Sequence, residues 1–168
     1  MMLRVLCFLA LTISAWAGDI QVFFSPNGGC TDAIVKEIAA AKSEILIQAY
    51  SFTSMPIAKA LLDANTRGVK VTAILDKENQ GRGYSAGKFL CDSGIPVWID
   101  FLPQIAHSKI MIIDRAIIIT GSFNFTRAAE EKNTENLLII KSDPKLVQAY
   151  VANFQNRLAL SRPYSAPQ

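Results

Sequence analysis

Hydrophobic and polar residues follow two spacings that alternate along most of the chain. Short apolar runs rich in β-branched residues, which are typical of strands, lie at residues 20–24, 44–50, 69–76 and 95–100. Stretches whose apolar residues recur every three or four positions, as on one helix face, lie at residues 31–43, 56–67 and 85–92. Thr31 or Asp32 can cap the first of these helices. Pro56 suits the first turn of the second, and Gly68 suits the left-handed position after its end.

The second half of the chain contains three apolar runs that are too hydrophobic to have one face in water. They lie at residues 106–114, 116–120 and 135–140 and predict central strands covered on both faces. A long helix is predicted after Asp143, from Pro144 to about Leu160. Its inward positions are Leu146, Val147, Tyr150, Val151, Phe154 and Leu158. The resulting order, β-α-β-α-β-α-β-β-β-β-α, predicts an α/β fold in which helices flank both faces of one mixed β-sheet.

The first seventeen residues differ in character from the rest of the chain. A short basic start ending at Arg4 is followed by an apolar run and by Ala15-Trp16-Ala17, which fits a cleavage site. We therefore expect a signal peptide at residues 1–17 and an exported protein, periplasmic or secreted, with a single domain at residues 18–168. The alternative is an uncleaved anchor, and membrane contact is expected only in that case.

Charge and cysteine content give only limited information about the partners and cross-links of the chain. A formal net charge of +3 is a mild basic bias, which permits a polyanionic partner but does not require one. Cleavage after Ala17 would leave two of the three cysteines, Cys30 and Cys91. In an oxidising compartment these two could form a disulfide, and the alternative is two half-buried thiols that never meet.

The single histidine of the chain, His107, lies in one of the central apolar runs. If residues 106–113 form a strand, His107 and Lys109 project from the same side. A lone histidine near apolar strands is more often structural than catalytic. The stretch GSFNFT follows the next apolar run and offers Ser122 and Asn124 as donors to an oxyanion. An ordinary turn followed by a helix cap would explain the same stretch.

Taken together, these residues resemble the motif of the phospholipase D superfamily. His107-x-Lys109-x-x-x-x-Asp114, followed by Gly121-Ser122-x-Asn124, is similar to that family's H-x-K-x4-D and G-S-x-N. The stretches FSPNGG, AYSFT, SGIPV and NTEN resemble the Nuc-like branch of small exported bacterial endonucleases. The resemblance implies a phospholipase D-like domain with a single copy of the motif.

The resemblance also implies roles for the residues that match the motif. His107 would attack phosphorus and form a covalent phosphohistidine. Lys109 and Asn124 would hold the non-bridging oxygens of the phosphate, with Ser122 assisting. Glu135 would accept the other ring N–H of His107 and fix its tautomer.

The remaining polar residues have smaller expected roles. Asp114, although part of the motif, is expected to be structural rather than a reactant. Arg127 and Lys132 are candidates for lining a basic groove, with a solvated helix face as the alternative. Arg82 belongs to a Gly-rich loop that could meet a phosphate strand, although a flexible surface loop explains it equally. Phe52, Phe123 and Phe125 could stack on bases or simply fill the core.

The chemistry of phosphodiester cleavage limits what a chain with a single histidine can do. The reaction needs a nucleophile on one side of phosphorus and an acid for the leaving oxygen on the other. One histidine cannot do both, so we expect a homodimer in which His107 of each subunit shares one site. The alternative is a monomer in which water donates the proton.

The sequence predicts no metal site and no cofactor. With one histidine and no close group of acidic ligands, activity is expected to survive a chelator. The predicted function is a metal-independent, nonspecific endonuclease that acts on DNA and, as a second substrate, on RNA. One alternative is a phospholipase D acting on phosphatidyl lipids. Another is a nucleic-acid-binding or DNA-uptake component in which hydrolysis is incidental.

Overall fold

The computed structural model describes residues 19–80 and 85–165. The predicted signal peptide and Arg82 lie outside these ranges. Within them, eight strands form one sheet: β1 (Ile20–Ser25), β2 (Glu44–Ala49), β3 (Lys70–Asp76), β4 (Val97–Asp100), β5 (Lys109–Ile113), β6 (Ile117–Gly121), β7 (Glu135–Lys141) and β8 (Arg162–Pro163). The helices are α1 (Cys30–Ala40), α2 (Met55–Thr66), α3 (Ala86–Asp92), α4 (Arg127–Glu131) and α5 (Pro144–Leu160), with a 3₁₀ helix at Lys77–Gln80.

The strands are ordered β1-β7-β6-β5-β2-β3-β4-β8 in one mixed sheet. Strands β2, β3 and β4 run parallel, and the chain between them passes through α2 and α3. The pairs β2–β5, β5–β6, β6–β7 and β1–β7 are antiparallel. The predicted α/β class and mixed sheet are therefore confirmed. The predicted order lacked the 3₁₀ helix, α4 and β8, which are too short to show a periodicity.

Helices pack on both faces of the sheet, as predicted. On one face, α1, α2 and α3 bury side chains such as Ile34, Leu61 and Leu90 in a large core cluster. On the other, Val147, Val151 and Phe154 of α5 pack in a second, smaller cluster.

Strand β5 is buried along its whole length between these layers, as its apolar sequence predicts. Strand β7 departs from the prediction, because it lies next to the edge of the sheet. Four of its residues are half-exposed, and Asn136 is exposed.

The start of α1 differs from the prediction that Thr31 or Asp32 caps it. The N-cap is Gly29, in the left-handed region with φ 78°. Glycine has no side chain that could accept a hydrogen bond from the first turn. Instead, the Glu130 carboxylate of α4 accepts hydrogen bonds from the backbone N–H groups of Gly29 at 3.0 Å and Thr31 at 2.7 Å. A carboxylate distant in sequence thus satisfies the free N–H groups of the first turn.

The other helix ends follow the sequence rules. Pro56 occupies the first turn of α2, and Gly68 has φ 92° after its end. Asp143 accepts a hydrogen bond from the backbone of Leu146 and caps α5. In the described part of the chain, no helix is long and apolar enough to cross a membrane.

The two described cysteines, Cys30 and Cys91, are unpaired. Cys30 is buried at the start of α1, and Cys91 is partly buried in α3. Burial, together with the nearby Glu130 carboxylate, raises the pKa of Cys30 to about 11. The disulfide considered from the sequence is not formed, and the alternative of two separate thiols describes the structure.

Candidate active site

The nucleophile candidate, His107, lies in an irregular segment and not in a strand. Strand β5 begins at Lys109, three residues later than predicted, so strand alternation does not place His107. Two buried carboxylates hold the segment instead. Asp100 accepts a hydrogen bond from Leu102 N at 3.3 Å, and Asp76 accepts one from Ala106 N at 2.7 Å. The backbone next to His107 is therefore fixed from β3 and β4.

Lys109 contributes a buried positive charge beside His107. Its side chain is only 7% exposed, and Nζ donates a hydrogen bond to the His107 carbonyl oxygen at 3.0 Å. Among the described residues, no carboxylate lies within ion-pair distance of this ammonium group. Burial lowers the pKa of Lys109, against the opposing effect of the Glu135 carboxylate. A buried ammonium group without a carboxylate partner among the described residues is suited to bind an anion from solution.

Tyr50 joins these two residues, and sequence reasoning did not single it out. Its ring centroid lies 4.7 Å from that of His107 and 5.2 Å from Lys109 Nζ. Sequence reasoning also missed Asp76, a carboxylate with 1% exposure that closes β3. Polar and aromatic residues directly after buried parallel strands are a general signal for a site at that sheet edge, and both residues carry it.

The loop after β6 is held against the start of β7. Gly121 has φ 141°, and a Cβ atom there would lie 2.3 Å from the Asn136 carbonyl oxygen, so only glycine fits. The backbone N–H groups of Ser122 and Phe123 both donate to that oxygen at 3.1 Å. In return, Asn136 N donates to Ser122 Oγ at 3.0 Å. The Ser122 hydroxyl can still donate its own hydrogen to a ligand.

The side chain of Asn124, in the same loop, has a buried polar atom that is not hydrogen-bonded to any described residue. Its Oδ1 atom is buried and has no hydrogen-bond partner in the described part of the protein. A buried polar atom without a partner normally costs about 1–3 kcal/mol, which points to a role other than stabilising the fold.

Phe52, Phe123 and Phe125 are 0–1% exposed. These rings belong to the core and do not form a base-stacking surface.

Glu135 does not form the hydrogen bond to His107 that the resemblance implied. Its carboxylate accepts a hydrogen bond from Asn133 Nδ2 at 3.1 Å and acts electrostatically on Lys109. In this structure no hydrogen bond joins it to His107, whose ring is turned against Tyr50 instead. Glu135 therefore lies near the cation of the site and not on the imidazole.

Asp114 lies at the other end of β5, roughly 16 Å from Lys109 at about 3.3 Å per residue. Its carboxylate accepts bonds from Lys42 N at 2.9 Å, Ser43 N at 2.7 Å, Ser43 Oγ at 2.8 Å and Glu44 N at 3.1 Å. Burial alone would raise its pKa, but these hydrogen bonds keep the pKa of Asp114 below 3.8. The position agrees with a structural role and does not bring this residue to the site.

The candidate basic groove residues do not line the cleft at His107. Arg127 pairs with Glu131 at 2.7 Å and lines a cleft of about 690 Å³ that contains none of the motif side chains. Lys132 is exposed at the end of α4. His107 lines a smaller cleft of about 190 Å³, together with Asn153 and Arg157 of α5. No group of metal-ligating side chains occurs among the residues described.

A buried ammonium group beside an imidazole can bind an anion next to a nucleophile, as phosphoryl transfer requires. The family described as "Cardiolipin synthase, PLD-like domain" matches residues 34–158. A Rickettsia felis protein described as phospholipase D is 44% identical over 140 residues, 83% of this chain and 70% of that protein. A human protein described as mitochondrial cardiolipin hydrolase is 30% identical over 131 residues, 77% of this chain and 52% of the human protein.

Solved structures agree with the sequence relatives. Nuc from Salmonella typhimurium, a phospholipase D family member, is 39% identical with a TM-score of 0.83, covering 89% of this chain and 100% of Nuc. NucT from Helicobacter pylori has a TM-score of 0.81 at 24% identity, covers 88% of this chain and 100% of NucT, and shows the fold alone. The chain therefore belongs to the phospholipase D superfamily, as a hydrolase with a PLD-like domain.

Proposed function

We propose that the protein is a metal-independent phosphodiesterase, and most specifically an endonuclease that cleaves DNA and, as a second substrate, RNA. The observation that carries the proposal is the buried ammonium group of Lys109, which has a carbonyl and an aromatic ring as neighbours but no carboxylate partner among the described residues. A diester phosphate would supply the missing negative charge directly beside His107.

The proposed reaction has two steps that balance at phosphorus. His107 attacks, forming an N–P bond while the bond from phosphorus to the leaving oxygen breaks, and an acid on the opposite side protonates that oxygen. The same group then accepts a proton from water, whose oxygen attacks phosphorus and releases His107. Lys109 and the Asn124 amide stabilise the equatorial oxygens in both steps, with the Ser122 hydroxyl as a third donor.

The acid in this scheme is proposed to be His107 of a second subunit, because the chain has one histidine. The exposed face of β1 supports this assembly. Ile20, Val22 and Phe24 are 61%, 51% and 62% exposed on a face that α5 leaves open, since α5 packs against β4, β5 and β6. This apolar stripe ends where Ser25 pairs with Glu135, beside the site. A second copy of the chain would bury it.

A nucleic acid substrate is supported by the chain's likeness to the endonuclease branch and by the open site. The match with Salmonella Nuc extends over the whole of that chain at 39% identity. The cleft at His107 is small, about 190 Å³, so an extended polymer that crosses a shared surface suits it better than a ligand needing a deep pocket. The net charge of +3 is compatible with a polyanion.

A lipid diester is the second candidate substrate, and a specific feature favours it. Phe101, Leu102 and Ile105 are 41%, 66% and 50% exposed on the segment that leads to His107. That segment carries no lysine or arginine between Asp100 and Lys109. Exposed apolar side chains next to the nucleophile could contact acyl chains. The rickettsial and human relatives are described as phospholipase D and mitochondrial cardiolipin hydrolase, which agrees with this alternative.

One substrate panel separates these proposals. Plasmid DNA, RNA, and vesicles of phosphatidylcholine or cardiolipin are incubated in EDTA with wild type, His107→Ala, and Lys36→Ala as an exposed control. Cleavage of DNA by wild type and the control, but not by His107→Ala, supports the endonuclease. Release of lipid products alone would replace it with the phospholipase. Binding of DNA without cleavage of any substrate would leave a nucleic-acid-binding protein.

Export is proposed as well, from the basic start, apolar run and Ala-Trp-Ala sequence at residues 1–17. Fractionation of cells that express the full chain should place it outside the cytoplasm. Its mass should be lower by the seventeen residues if the segment is cleaved. Unchanged mass in the membrane fraction would indicate a retained anchor, and recovery from the cytoplasm would reject export.

A further inference from the structure

The aromatic ring of Tyr50 is the feature that the proposed reaction does not yet use. Tyr50 follows directly after β2, at the sheet edge where the site lies. Its ring contacts the imidazole of His107, with 4.7 Å between centroids and 54° between planes. The same ring lies 5.2 Å from Nζ of Lys109. One side chain therefore touches both the nucleophile and the cation.

The backbone of Tyr50 is tied to the same segment. Its N–H donates to the carbonyl oxygen of Ser108 at 2.9 Å, and Ser108 lies between His107 and Lys109. Its carbonyl oxygen accepts a hydrogen bond from Asn79 Nδ2 at 2.6 Å. Asn79 is buried and also donates to the carbonyl oxygen of Asp76 at 3.1 Å. The backbone that carries the ring is thus held by the segment before β5 on one side and by the residues that follow β3 on the other.

The hydroxyl of Tyr50 has its own support. It hydrogen-bonds to the Glu78 carboxylate, which raises the pKa of Tyr50. The backbone of Glu78 is in turn held by Asp76, whose Oδ1 accepts from Glu78 N at 2.9 Å. The other oxygen of Asp76 holds Ala106, next to His107. One buried carboxylate therefore fixes both the support of the tyrosine and the segment that carries the histidine.

We propose that Tyr50 is a positioning residue, whose ring holds the His107 imidazole and the Lys109 ammonium group in their relative arrangement for attack on phosphorus. The inference rests on the proposed phosphodiesterase function. A positioning residue is needed because no strand pairing directs His107 and no carboxylate of the described residues pairs with Lys109. The face of an aromatic ring attracts an ammonium group and offers the imidazole a flat contact. Misplacement of a reacting group by about 1 Å can lower a rate about 10²-fold.

Kinetics on a simple diester test the role of the ring. Bis(p-nitrophenyl) phosphate is used in EDTA, because it reports diester cleavage without depending on DNA or lipid. Tyr50→Leu should lower kcat about 10-fold to 100-fold and leave KM within about 3-fold, as loss of positioning predicts. Tyr50→Phe, which keeps the ring, should retain at least about a third of wild-type kcat. Tyr150→Leu on α5 is the matched control and should match wild type.

Magnetic resonance tests the contact without any substrate. His107 is the only histidine, so its ring protons give one set of signals that needs no assignment by mutation. These signals should shift in Tyr50→Leu, because the neighbouring ring current is lost, and should stay close to wild type in Tyr50→Phe. Tyr50→Met replaces the leucine variant if the latter does not fold.

Several outcomes would overturn the proposal, and one would reject only the proposed phosphodiesterase function on which it rests. Wild-type kcat in Tyr50→Leu would refute positioning, and so would an equal loss in Tyr50→Phe. A raised KM with unchanged kcat would make Tyr50 a substrate contact instead. Unshifted His107 signals in Tyr50→Leu would refute the contact itself. A wild type that cleaves no diester, with signals that shift as expected, would reject the phosphodiesterase and leave the contact in place.

Discussion

Replacing Lys109 with methionine should separate activity from stability in this protein. The ammonium group is 7% exposed and lacks a carboxylate partner within the described chain, so we expect its charge to act mainly on the substrate. At an effective dielectric constant of about 20, a charge about 4 Å from a phosphate oxygen contributes roughly 4 kcal/mol. Loss of one donor to a developing anion lowers kcat by about 10²–10³-fold, which is the decrease expected for Lys109→Met.

The stability of the same variant should change little. Methionine loses the hydrogen bond to the His107 carbonyl, which contributes about 0.5–1.5 kcal/mol. It also removes the unfavourable burial of a charge, the effect that lowers the pKa of Lys109. These contributions oppose each other, so the melting temperature should move by only a few degrees.

The pH dependence has a definite sign. Between the lowered pKa of Lys109 and its ordinary value of 10.5, the unfolded chain holds more protons than the folded one. Wild type should therefore gain stability relative to Lys109→Met as the pH rises through that interval.

The assay compares Lys109→Met with Lys70→Met, which removes an exposed lysine at the start of β3. Diester cleavage and thermal unfolding are measured on both variants and on wild type. Lys70→Met should match wild type in each. Activity of Lys109→Met within about 3-fold of wild type would refute the role of the buried cation. A large loss of stability would show that the ammonium group supports the fold instead.

Three further predictions follow from other contacts. Asp114→Asn should lower the free energy of unfolding by about 1–3 kcal/mol, measured by urea denaturation. The stabilisation from Asp114 is present above its ordinary pKa of 3.8 and is lost as pH falls through its lowered value, so the two proteins should converge in strong acid. Wild type and His107→Ala can be mixed in equal amounts and refolded together. The mixture should have about a quarter of the activity of the same total amount of wild type if two histidines share a site, whereas about one half would indicate independent monomers. Gly121→Ala should unfold at a lower temperature than Gly94→Ala, because of these two positions only Gly121 would bring a new Cβ against backbone, 2.3 Å from the Asn136 carbonyl oxygen.

The sequence by itself was sufficient for the class of fold and for several helix ends. Alternating periodicities predicted the strands and helices, because a side chain's exposure repeats with the geometry of its own element. Pro56, Gly68 and Asp143 act at their predicted positions, since capping depends on neighbours within a few residues. The motif also indicated the superfamily, which the family match confirms.

The assembly of the site was decided by tertiary structure. His107 lies outside β5, and its position depends on Asp76 and Tyr50, which come from other strands. No local pattern could show that Glu130 of α4 would cap α1 or that the Glu135 carboxylate would act on Lys109.

The difference has one physical cause. Helix and strand patterns arise from interactions between residues close in the chain, and the motif spacing can be read from the same short stretches. The contacts that orient His107 and bury the charge of Lys109 join residues about 30 to 60 positions apart in the chain, and they exist only after the sheet has brought its strands together.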